Sequence, residues 1–233
     1  MALPKLASAK FELTLPSTGE KIEYRPFLVK EEKALMIAQQ SGKTEDVMRA
    51  VQDVVQACTF DKVDAKNIPT FDLEYVFINL RAKSVGEVVE LNVTCPDDNV
   101  TKVPVSVDLT TIKCTKEVGH DNNIRITDEI GVIMDYPKVD AIQSLDLGDE
   151  ITATFDVVKR CIRQVYDSKD VYEKVDMDRD DLDEFVDSMT HEQFQRIQTF
   201  FDTMPKVRHK IKVKNPKTGV EGEVVLEGIQ DFF

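Results

Sequence analysis

The residues best suited to chemistry gather between Asp167 and Asp187, where ten carboxylates meet three cations, a net of −7. Within that stretch Asp176-x-Asp178-x-Asp180, with Glu184 and Asp187 further on, has the offsets of a calcium-binding loop. Such a loop needs glycine at its sixth position for a tight turn and a bidentate glutamate at its twelfth. Asp181 and Asp187 stand there instead. Leu182, Phe185, Val186 and Met189 set a helical period inside the supposed loop. The carboxylates are therefore read as the acid-rich entrance of a helix, where they complement its positive end, with a weak, non-selective cation site as the alternative.

Other chemistries find less. The cysteines Cys58, Cys95, Cys114 and Cys161 are scattered without paired spacing, which suits reduced, buried thiols better than a disulfide framework. Tetrahedral zinc needs about four soft or imidazole ligands, and Cys95, Cys114 and His120 do not make a recognisable set. His120, His191 and His209 fall in a polar loop, a helix start and a strand, none beside a nucleophile signature. Gly19 and Gly219 each stand alone at a turn, so no phosphate-cradling loop exists. The reading assigns no catalytic residue, no metal and no cofactor, and predicts a protein that is not an enzyme.

What remains is chemistry of contact. Lys206, Arg208, Lys210, Lys212 and Lys214 alternate with Val207, His209, Ile211 and Val213, so on a strand all five cations line one face. That face is either the ordinary solvated side of a half-buried sheet or a docking strip, whose natural counterpart is an acidic protein surface, with Asp178, Asp180 and Asp181 of a neighbouring copy as one candidate and other proteins as the rest. Phe232 and Phe233 stand at the end of the sequence. They either fold back onto the helices, the preferred reading, or anchor a partner.

These residues must be carried by recognisable elements, and the pattern is α+β: several antiparallel hairpins combined with two helical blocks. Hairpins are predicted near 10–25, 85–109 and 206–228, from two-residue alternation on either side of Pro-, Gly- or Asn-bearing turns. The turn Pro16-Ser17-Thr18-Gly19 is echoed by Pro216-Lys217-Thr218-Gly219. Helical periodicity occupies 30–81, with Gly42 as a stop, Thr44 as an N-cap and a third helix opening near Thr70 or Asp72. Further helix is predicted over 137–204. There Ile151, Phe155, Val158, Ile162 and Val165 read as one amphipathic stripe, and Thr190 with Gln193 as a capping box. Ile124–Ile126 reads as a short strand, and Val132–Met134 fits either state. Three segments follow: 1–84, hairpin plus helical block; 85–136, a central hairpin region; and 137–233, helices with a final hairpin. They pack as one compact unit or two.

Composition bounds the function classes. The chain has 233 residues, a formal charge of −13 and 42% apolar residues, enough for a real core. No run of about 18 apolar residues offers a membrane span, and no secretory signal is visible at the start. Excess acid repels phosphate, which argues against nucleic acid as a partner. A soluble intracellular protein is the expectation.

Three segments resemble a known family, the baseplate hub proteins of T-even-type contractile-tailed phages. They are Leu15–Gly19 with Tyr24–Lys33, then Leu80–Glu87 leading into the Cys95 hairpin, then Phe194–Pro205 with the hairpin that ends Leu226-Glu227-Gly228-Ile229-Gln230-Asp231-Phe232-Phe233. The resemblance implies a non-enzymatic subunit or assembly factor of the central hub, made in the host cytoplasm. Its partners would be other baseplate proteins or further copies of itself. A transient assembly chaperone and a metal-binding or hydrolytic accessory enzyme are the competing readings. Some relatives carry Cys-x-x-Cys knuckles at two hairpin tips. Here the first tip keeps only Cys95 and the second, Asn215 to Thr218, has none, so structural zinc is not implied.

Overall fold

The computed structural model describes residues 7–145 and 150–232. In chain order the elements begin with β1 (Phe11–Thr14), β2 (Lys21–Tyr24), α1 (Val29–Ser41), α2 (Thr44–Cys58), α3 (Thr70–Ser84), β3 (Val88–Thr94), β4 (Lys102–Asp108) and β5 (Lys113–Thr115). They continue with β6 (Asn123–Arg125), β7 (Gly131–Met134), α4 (Val139–Gln143), α5 (Glu150–Cys161), β8 (Ile162–Tyr166) and β9 (Val171–Glu173). Last come α6 (Arg179–Asp187), α7 (His191–Thr203), β10 (Lys206–Lys214) and β11 (Glu221–Glu227). The fold is α+β, with small antiparallel sheets.

Two compact units divide the chain: one runs to Thr115 and resumes at Lys206, the other is Lys116–Pro205. The first is discontinuous because β10 pairs with β5 on one side and β11 on the other, Val207 opposite Cys114 and Ile211 opposite Val224. Its core is built on α3. Phe71, Leu73, Val76, Phe77, Ile78 and Leu80 are all buried, the pattern of a helix surrounded on every side. The alternation at both ends of the chain gives hairpins of the same build. Gly19 N–H donates to Leu15 O at 2.9 Å and Gly219 N–H to Asn215 O at 2.8 Å. Both glycines sit in the left-handed region, φ +72° and +76°, where a Cβ is strained. The echo in the sequence is thus a repeated turn.

The second unit packs α5, α6 and α7 against the sheet β6-β7-β8-β9. Val132, Met134, Ile162 and Ile197 are fully buried at its centre. Here the stripe from Ile151 to Val165 is corrected: the helix stops at Cys161, and Ile162 and Val165 lie on β8. Val165 faces Val132 and Ile162 faces Met134, with Arg163 as an extra bulged residue between them. The bulge brings two residues three apart onto one sheet face, which copies a helical step in the sequence. Val132–Met134 resolves as the strand they pair with. Thr44 is also corrected. It is the first helical residue of α2, Lys43 holds the cap position, and no side chain caps it.

Candidate protein-interaction surfaces

The cationic face of β10 is present, but it is not bare. Its neighbour β11 sets Glu221, Glu223 and Glu227 in register with Lys214, Lys212 and Arg208. Arg208 Nε and Nη2 donate to Glu227 Oε2 and Oε1 at 2.7 and 3.2 Å. Lys210 reaches Glu223 at 3.0 Å and Lys214 reaches Glu221 at 3.8 Å. Among the described residues only Lys206 and Lys212 of the five make no ion pair. Each exposed pair contributes about 0–1 kcal/mol, so the ladder adds little stability while cancelling most of the field that would steer a partner. The sequence shows five cations. Only strand pairing shows the three anions beside them.

The acidic segment divides into β9, a 3-10 turn and α6. Asp178 Oδ1 accepts from Asp181 N–H at 2.9 Å, and Asp181 Oδ2 accepts from Asp178 N–H at 3.3 Å. This reciprocal box satisfies helix-end donors that would otherwise be orphaned, so Asp178 and Asp181 have a structural duty. Asp180, in the same first turn, is exposed. Asp183 pairs with Lys159 of α5 at 2.5 Å, and that hydrogen bond holds its carboxyl below the usual range. No group of three or more His, Cys, Asp or Glu among the described residues is placed to hold a metal ion. Val171, Tyr172 and Val175 stand exposed at the edge of this segment.

Phe232 is fully buried and Ile229 nearly so; their 3-10 turn lies against α3 and β11. Fold-back wins over anchoring because an aromatic ring gains its burial inside its own unit. Phe233 lies outside the described residues.

Pairwise reading of the sequence missed a junction between two hairpin tips. Buried Asn215, at the tip of β10–β11, donates from Nδ2 to Asp97 Oδ1 and Oδ2 at 3.0 and 3.1 Å and to Asp98 Oδ2 at 3.0 Å. Thr218 Oγ1 donates to Asp97 Oδ2 at 2.6 Å. Asp98 also accepts from Thr101 Oγ1 at 2.6 Å and from two backbone N–H groups. Hydrogen bonds from Thr218 and Asn215 lower the Asp97 pKa, and those from Thr101 and the backbone lower that of Asp98. A Cβ on Gly222 would come within 2.6 Å of Pro96, so the hairpins also meet backbone to ring. The one readable signal is the shared spacing Cys95-x-x-Asp98 and Asn215-x-x-Thr218. These residues do not fit zinc. They offer one thiol, whose pKa is raised by burial and by Asp97 and Asp98, and the remaining polar atoms are engaged with one another.

The remaining reactive groups are held by structure. Burial pushes the Cys58 thiol up to about 11 and those of Cys114 and Cys161 to about 12, far from a thiolate at neutral pH. The His120 ring is held between Thr203 Oγ1, 2.9 Å from Nδ1, and Tyr136 OH, 3.1 Å from Nε2. It lies against the Phe200 ring, and burial lowers its pKa. Glu74 on α3 is pushed up to about 7, by burial and then by Glu227.

No helix among the described residues is long and apolar enough to cross a membrane. A family model described as "T4 bacteriophage base plate protein" matches residues 8–233. No curated protein and no solved structure matches the chain.

Proposed function

The chain belongs to the T4 bacteriophage base plate protein family, and from that premise we propose that it serves the central hub of the tail baseplate, acting by protein–protein contact. The match across nearly the whole chain carries this reading. Geometry supports it: the groups suited to chemistry are spent on caps, turns and tip contacts. Of the contact elements, the acidic segment keeps open charge. It presents Asp180, Val171 and Val175, each exposed, side chains suited to a basic surface with apolar groups on another baseplate protein. The β10 ladder contributes Lys206 and Lys212 to contact, and its paired members set strand register.

The test is a mass inventory of finished tails against assembly intermediates. Stoichiometric presence in both supports a structural hub subunit. Presence in intermediates alone shifts the assignment to a transient assembly factor, and absence from both overturns the reading.

A further inference from the structure

A cavity of about 330 Å³ opens in the second unit where the last turns of α5 meet the 3-10 turn Lys174–Asp176 and the first turn of α6. Its lining carries four cations, Lys159, Arg160, Lys174 and Arg179, against two carboxylates, Asp156 and Asp178. The excess is opposite in sign to the chain's −13. Lys159 is already answered, by Asp156 at 3.1 Å and Asp183 at 2.5 Å, and the Asp178 carboxylate is engaged in the box at the entrance of α6. Arg160 and Lys174 are held by neutral acceptors instead. Arg160 Nη1 donates to Ala141 O at 2.8 Å and to Ser144 Oγ, and Lys174 Nζ donates to Arg160 O. A carbonyl or hydroxyl fixes where a cation stands without cancelling its charge. Neither residue, nor Arg179, makes an ion pair among the described residues. Lys174 is exposed overall, but its ammonium is drawn in to that carbonyl. Desolvation there lowers its pKa, and the charges of Lys138 and Arg160 act the same way against Cys161 and Asp135. Like charges gathered in this way are relieved by an anion placed among them.

We infer that this cavity takes a single aspartate or glutamate side chain of another baseplate protein, carried on a segment whose flanking residues are Lys or Arg. Guanidinium and ammonium groups together are the donors that hold a carboxylate. Met177 and nearly buried Leu182 give the cavity an apolar wall, which suits the methylenes of a side chain better than a fully hydrated inorganic anion. The rim decides what must stand beside that carboxylate. Asp176, Asp180 and Asp181 flank the same turn and helix start and are exposed, so a long polyanion is repelled just outside the cavity. One carboxylate with cations on either side satisfies pocket and rim together. The inference rests on the proposed reading of the acidic segment as a contact surface. It adds the sign pattern that the partner must carry: basic, acidic, basic.

Three capped peptides titrated into the full chain, with binding read from amide NMR shifts at physiological salt, test this: Lys-Lys-Glu-Lys-Lys, its glutamine counterpart Lys-Lys-Gln-Lys-Lys, and pentaglutamate. The glutamate peptide is expected to bind about tenfold more tightly than the glutamine one, with shifts at positions 160, 174 and 179. Arg179→Gln, a change at an exposed position, should weaken the glutamate peptide and tighten the glutamine one. Loss of a cation acting only through the general field would tighten both. Lys174→Gln should move the two peptides in the same opposed directions, and circular dichroism checks that both variants fold. Equal affinity for the two mixed peptides overturns the inference and leaves the acidic contact surface standing. Binding of neither overturns both, and tighter binding of pentaglutamate overturns the sign pattern in favour of a general anion site.

Discussion

Replacing Glu31 by alanine should strongly destabilise the helical region of the first unit. Its carboxylate is 7% exposed and meets the Arg25 guanidinium, 13% exposed, at 3.1 Å. Glu31 Oε2 also accepts from Leu28 N–H at 2.6 Å, closing the start of α1. Arg25 donates in addition to Pro26 O at 3.0 Å and Ala57 O at 3.4 Å, so one pair ties the end of β2 to α1 and to the last turn of α2. Removing the anion leaves a guanidinium with little water, no counter-charge and backbone carbonyls for partners, a loss of about 3–5 kcal/mol. The lost backbone bond alone is worth about 1 kcal/mol, and the two terms overlap. With a urea slope of about 2 kcal/mol/M the midpoint should fall by about 1.5–2.5 M.

The measurement is urea unfolding followed by amide hydrogen exchange in α1 and α2, which separates this unit from the other. The double variant Arg25→Met, Glu31→Leu should recover most of the loss, because an apolar pair has no charge to strand. Burial works against the Glu31 carboxylate, yet the Arg25 hydrogen bond, the Leu28 N–H and Lys30 together hold its pKa below the usual value. The contribution is therefore present above the ordinary carboxylate range and lost as pH falls through the lowered value. A cost under about 1 kcal/mol for Glu31→Ala, the value of an exposed pair, would refute the reasoning.

Three further outcomes are expected. Asp178→Ala should cost about 1 kcal/mol in the second unit by exchange protection of α6, whereas Asp180→Lys should leave folding unchanged and weaken capture of a basic baseplate partner in a pull-down at physiological salt. Glu74, raised to about 7, keeps its proton longer when folded, so its contribution grows as pH falls from about 7 toward the unfolded value near 4.3; Glu74→Gln should remove that slope from unfolding titrations of the first unit. Asn215→Ala should cost about 2 kcal/mol by stripping charge-assisted bonds from Asp97 and Asp98, with increased hydrogen exchange at both hairpin tips and none of it corrected by added zinc.

Local patterns in the chain are enough for most elements. Alternation in Phe11–Thr14 and Lys206–Lys214 reads directly, because a strand that buries one face must alternate whichever partner it finds. Thr190 with Gln193 reads just as directly, since a cap depends on residues three apart; the box forms as the spacing predicts. The β8 strand fails for a physical reason of the same kind. Its bulge moves Ile162 and Val165 onto one face at a three-residue interval, and a local rule counts that as helix.

Tertiary structure decided what the charged and polar residues are for. The cations of β10 and the glutamates of β11 lie up to 19 residues apart, and their neutralisation depends on strand register. Asn215 and Asp97 are 118 residues apart, so nothing local marks them as partners. Whether Phe232 is an anchor or core depended on the space beside α3. The sequence by itself determined where most helices and strands form, because those propensities act over a few residues; the folded chain determined the β8 strand and which charges are already answered, because burial and pairing depend on neighbours that only folding brings together.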